Sequence, residues 1–184
     1  MKFISKLVAS IAMLAFVSTA QAKTAVLVHG AFADGSCWSD VIPLLKAAGF
    51  KVIAVQNPLT SLTDDVNAAT RAIENQTEPV VLVGHSWGGA VVTQAGDHPN
   101  VASLVYVAAF APDIGQSAND TTAGYPTAPG FAYLVVDKFG FETLNEEGMT
   151  NYFAQDLPKE KTSIMYSTQG PTFTGVFKIG RAHV

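Results

Sequence analysis

Cysteine is almost missing from this sequence. Cys37 is the only one in 184 residues, so neither an intramolecular disulfide nor a cysteine-based metal site can form. A single cysteine reads first as a small core hydrophobe. Charge is scarce too. Eleven basic residues stand against fifteen acidic ones, a formal net charge of −4, and charged residues make up only 14%. That balance excludes the basic surface that nucleic acid or an anionic lipid face would require. No internal repeat and no low-complexity tract is visible, and an apolar content of 48% excludes a disordered chain. What remains is one domain's worth of chain, able to bury a core.

Only one long apolar run free of charge is present, and it lies at the start. Lys2 and Lys6 precede residues 7–20, and Ala20-Gln21-Ala22 fits a small-x-small cleavage pattern. Residues 1–22 therefore read as an export signal, with Lys23 opening the mature chain in the bacterial periplasm or beyond. The run is short for a membrane span and no stop-transfer pattern follows, so no membrane association is expected after cleavage.

The most informative stretch is PVVLVGHSWGGA, from Pro79 to Ala90. It places G-x-S-x-G, Gly84 to Gly88, between an apolar strand-like run and a helix-like one. A serine at such a junction sits on a tight, strained turn that lifts its Oγ clear of the sheet. The glycines on either side let the chain pass without a Cβ clash. Ser86 is the expected nucleophile. The plainer alternative makes it only a helix N-cap.

Around that junction the elements alternate. Short apolar strands are expected at 25–28, 51–55, 80–83 and 101–107. Helices are expected at 38–48, 63–74 and 86–96. In the first helix Val41, Leu44, Leu45 and Ala48 share one face; in the second Thr63 is the N-cap, and Asp64 and Asp65 face the positive end of the dipole. The strands are continuous apolar runs, not alternating ones. That is the pattern of a parallel sheet covered by helices on both faces. After Phe110 the texture changes to a Pro-, Gly- and Thr-rich segment followed by an aromatic-rich one. Residues 111–170 read as a helical cap inserted over the sheet's carboxyl edge.

Three pieces together resemble the α/β-hydrolase superfamily: Val26-Leu27-Val28-His29-Gly30-Ala31, Gly84-His85-Ser86-Trp87-Gly88-Gly89, and Leu104-Val105-Tyr106-Val107 leading to Ala111-Pro112-Asp113. The likeness is greatest to the small-esterase branch that includes plant methylesterases and hydroxynitrile lyases, and it covers residues 24–170. The resemblance implies an α/β fold with a mostly parallel sheet, helices on both faces and a cap. It implies Ser86 as nucleophile and an oxyanion hole formed by the backbone N–H groups of Ala31 and Trp87. His29 is expected to shape the loop after the first strand rather than act as base, His85 to be structural, and His98 to lie on the far side of the sheet. The implied activity is hydrolysis of a small apolar carboxylic ester with no metal or cofactor. A hydroxynitrile-lyase-like reaction and a non-catalytic small-molecule binding module stay open as alternatives. Nothing in the sequence sets the oligomeric state.

In this family the acid and histidine of the triad follow the serine on later loops. Asp113 is a weak fit for the acid, and the only later histidine is His183. Residues 178–184, KIGRAHV, match a translated frame of a widely used sequencing adapter. The expectation is thus a fragment, residues 23–177, of a longer hydrolase, followed by a non-native tail and lacking its own triad acid and histidine. A genuine C-terminus with His183 as base is the competing reading.

Overall fold

The computed structural model describes residues 23–180. The expected signal segment and His183 lie outside the described residues.

Four parallel strands form the main sheet: β1 (Thr24–Val28), β2 (Lys51–Val55), β3 (Val80–His85) and β4 (Val101–Val107), in the order β2-β1-β3-β4. The apolar runs form these strands because both faces of the sheet are covered. Val26 and Val28 of β1 face one cluster, with Leu82, Val91 and Val92. Ala25 and Leu27 face the other, with Trp38 and, at its margin, Ile42 and Leu45. β3 runs two residues further than its apolar stretch, because Gly84 and His85 stay paired with Tyr106 and Val107 of β4.

The helices differ in detail from the sequence expectation. The expected helix at 38–48 divides. Gly35–Trp38 is a separate 3-10 turn, begun where the Asp34 carboxylate accepts from the Ser36 N–H at 2.6 Å, and α1 (Val41–Ala47) follows. With that start, Ile42 and Leu45 meet the sheet, while Leu44 is 70% exposed and Val41 is also outward. α2 (Leu62–Glu74) is capped two residues earlier than the expected Thr63, by Ser61. Ser61 Oγ accepts from the Asp64 N–H at 3.0 Å and donates to Asp64 Oδ2 at 2.7 Å. Asp64 does sit in the first turn, but Asp65 is fully buried. α3 (Trp87–Ala95) begins directly after Ser86 and is buried along nearly its whole length. Cys37 is exposed rather than packed, because the 3-10 turn points it outward while Trp38 takes the inward position.

Beyond Phe110 come α4 (Ala118–Thr121), β5 (Leu134–Val136), β6 (Phe141–Leu144), α5 (Glu146–Gly148) with a π-helical turn at Met149–Phe153, α6 (Lys159–Thr168) and β7 (Thr172–Phe173). The cap is therefore not helical alone. β5, β6 and β7 make a small antiparallel sheet, and these strands of two to four residues are too short to show a period in the sequence. Among the described residues no helix is long and apolar enough to cross a membrane.

Candidate active site

Ser86 stands between β3 and α3 with φ 51° and ψ −120°, a backbone conformation that few residues with a Cβ adopt. Its side chain makes no capping hydrogen bond to α3, so the plain N-cap role is not the one it plays. The backbone holds the turn in place. Ser86 O accepts from Gly89 N at 2.9 Å and from Phe110 N at 3.1 Å. A Cβ at Gly88 would lie 2.4 Å from Val28 O, and one at Gly84 would lie 2.5 Å from Gly88 O. Glycine is required at both because backbone meets backbone.

The half-buried serine lines a cavity of about 440 Å³. Ala31, Phe32 and Phe110 line the sheet end beside it. Phe131, Tyr152, Phe153 and Phe177 contribute the facing aromatic wall. The loop after β1 lies against the elbow: a Cβ on Gly30 would come within 2.8 Å of Ser86 Cβ. Ala31 and Trp87 both adjoin Ser86, the first across this contact and the second in sequence. Among the described residues neither backbone amide donates to a protein acceptor.

His29 is buried. Asn57 N donates to its Nε2 at 2.9 Å, which leaves the proton on Nδ1 to donate to Gly30 O at 2.8 Å. Burial lowers its pKa and keeps the ring neutral. His85 does not line the cavity. It stands edge-on to Trp38 at 6.3 Å, and burial lowers its pKa as well. His98 sits past α3, where its Nδ1 accepts from Asn100 N at 3.1 Å. Asp113 is an exposed turn residue whose carboxylate accepts from Ile114 N at 2.7 Å. No described histidine or acid therefore lines the cavity beside Ser86. Among the described residues no group of three histidine, cysteine or acidic side chains could hold a metal ion.

Sequence reasoning missed Asp65 as part of this region. Its Oδ2 accepts from Trp87 Nε1 at 2.7 Å and its Oδ1 from Leu59 N at 2.8 Å. Burial pushes its pKa up to about 6, against the lowering effect of those two donors. The available signal was periodicity. Leu62, Asp65, Ala69 and Ile73 share the buried stripe of α2, and an acid on an apolar stripe needs a donor.

Comparison with known proteins agrees with this architecture. Residues 25–179 match the model of the alpha/beta hydrolase family, and the chain belongs to that family. Among its relatives is a carbendazim hydrolyzing esterase of Nocardioides sp., 35% identical over 106 residues, which are 50% of this chain and 44% of the relative. Methylesterase 2 of Arabidopsis thaliana is 31% identical over 156 residues, covering 74% of this chain and 58% of that protein. The chain thus spans about half the length of these two relatives. The crystal structure of a pyrethroid hydrolase from Sphingobium faniae superposes with a TM-score of 0.75 at 22% identity, covering 89% of this chain and 73% of that one. At that identity the likeness concerns the fold. The family match and the superposition together establish the α/β-hydrolase fold for this chain.

Proposed function

We propose that this chain carries the nucleophilic half of an exported serine esterase acting on a small, apolar carboxylic ester. Ser86 Oγ attacks the ester carbonyl carbon while its proton passes to a general base. The carbonyl oxygen becomes an oxyanion held by the N–H groups of Trp87 and Ala31. Collapse expels the alcohol, which takes the proton, and leaves an acyl group on Ser86. Water, deprotonated by the same base, releases the acid and restores the hydroxyl. The base and its partner acid come from outside the described residues. The chemistry uses no metal or cofactor.

One observation carries this reading: Ser86 is held at φ 51° on the cavity wall with a side chain that does not cap its own helix. The aromatic lining supports an apolar ester, as do the names of the relatives, an esterase and a methylesterase. The sequence of residues 1–22 supports export.

The test uses protein expressed from the full locus. A fluorophosphonate probe is expected to label it at one site, and Ser86→Ala is expected to abolish both labelling and turnover of p-nitrophenyl acetate. A folded protein that neither labels nor turns over would overturn the esterase reading. Recovery of a secreted chain beginning at Lys23 would support export; an intact N-terminus in the cell would refute it.

A further inference from the structure

Among the described residues, four other than glycine have positive φ: Phe32, Leu59, Ser86 and Ala108. Phe32 and Leu59 join one hydrogen-bonded assembly, and Ser86 adjoins it through the neighbouring Trp87. Strained backbone persists only where its surroundings over-determine it, and the bonds of this assembly supply that support.

The turn after β2 is the centre of the assembly. At one end Asn57 grips the loop after β1: its N–H donates to His29 Nε2 and its Nδ2 donates to His29 O, both at 2.9 Å. At the other end Leu59 O accepts from Phe173 N at 2.9 Å. The residue beside it, Thr172, is fully buried, and its Oγ1 accepts from Phe32 N at 3.3 Å. Gly170 N adds a bond to Ala33 O at 3.2 Å. The loop bearing the Ala31 amide is thus held from both sides by groups that converge on the 57–59 turn.

The elbow reaches the same turn by a single side chain. Asp65 gives one oxygen to Leu59 N and the other to Trp87 Nε1. The indole is buried and stands edge-to-face with Phe177 at 5.4 Å. It has little freedom, and neither does the backbone amide of the same residue. The geometry points to Asp65 as a positioning residue: its buried carboxylate joins the Trp87 indole to the Leu59 turn and so fixes the elbow amide relative to the loop that carries the Ala31 amide. An apolar side chain of similar volume would fill the space without the desolvation of a carboxylate, but it could not hold two N–H groups on opposite sides. The catalytic part of this inference rests on the esterase reading above. The mechanical part, coupling between the two loops, does not.

The experiment separates the two. Asp65→Asn, Asp65→Ala and Trp87→Phe are made in protein expressed from the full locus, with folding checked by thermal midpoint. On p-nitrophenyl acetate, Asp65→Ala and Trp87→Phe are each expected to lower kcat about 10- to 100-fold with KM within about twofold, the size of effect that small misplacement produces. The double variant should be no worse than the worse single one, because both break one path. Asp65→Asn, which keeps one acceptor and the shape, should recover part of the loss. A folded Asp65→Ala protein with kcat within about twofold of the parent would overturn the catalytic role, even if its midpoint falls. Backbone amide resonances decide the coupling whether or not turnover is seen. In Asp65→Asn the Ala31 and Trp87 amides should shift together, and an unmoved Ala31 amide would overturn the inference. Absence of turnover in the parent, with that shared shift intact, would count against the esterase reading alone.

Discussion

β1 and β4 are apolar strands of one parallel sheet, and their surroundings differ sharply. β1 has a strand on each side and a helical layer on each face, and all five of its residues are buried. Among the described residues β4 has β3 on one side only, and six of its seven residues are exposed. Leu104 and Tyr106 still touch α3, through Gly96 and through the 2.9 Å contact between the Tyr106 and Thr93 hydroxyls. Val105 and Val107 face the other side of the sheet, where the α1 cluster reaches Val83 but does not include them. Apolar sequence thus states what a strand is suited to, while burial depends on which neighbours the described residues provide. The site is assembled at the enclosed end, where β1 and β3 deliver their loops side by side.

That contrast can be broken at either end. The largest effect is expected at the enclosed end. Gly88→Leu would push a side chain against the carbonyl oxygens of Val28 and His29, and circular dichroism should show no cooperative thermal transition. Leu27→Ala, at a position with no exposure, should cost about 2–5 kcal/mol in urea unfolding, whereas Val105→Ala, at 41% exposure, should cost less than about 1 kcal/mol. Equal costs would mean that β4 is covered in solution.

A pH titration sharpens the comparison further, because Asp65 lies on the enclosed side. Its native pKa is raised to about 6, above the roughly 3.9 of an unfolded aspartate. Between those values the native state keeps a proton that the unfolded chain has lost. The stability linked to this proton is full below about pH 4 and is lost as pH rises through about 6. Between pH 4.5 and 7 the parent should therefore lose about 2 kcal/mol relative to Asp65→Asn, read as the difference between their urea midpoints. No difference in slope would place the carboxylate in a more polar setting. The smallest energetic effect is expected at the open edge. Val105→Glu should change stability by no more than about 0.5 kcal/mol yet reduce concentration-dependent light scattering, since a charge on an unpaired edge opposes edge-to-edge pairing.

The main sheet was legible because its strands are contiguous apolar runs divided by glycines, and β2 and β4 lie where those runs do. The elbow was legible for the same reason: few local arrangements demand Gly84, Ser86 and Gly88 together. The rest depends on contacts distant in sequence. Ser61 caps α2 in preference to Thr63 because of where the preceding turn enters, which the local letters do not specify. The inward face of α1 rests on Ile42 and Leu45 because Asp34 starts a separate 3-10 turn ahead of that helix. Two of the cap strands, β6 and β7, pair residues about 30 positions apart, as Phe141 does with Phe173, and runs so short leave no periodic trace. Asp65 looked like an ordinary helix-dipole residue, because its two partners, Leu59 and Trp87, lie on different segments.

The glycine contacts at the elbow also bear on how such a cavity can change over generations. A side-chain atom at Gly89 would fall 2.2 Å from Phe110 O, and one at Gly88 would strike the end of β1. The floor of the cavity is main chain seated on main chain, so it offers almost no room for variation. The opposite wall is made of replaceable rings, Phe131, Tyr152 and Phe153, on short cap elements. Change in the shape of this cavity over generations is thus confined to its roof, while the floor is inherited intact.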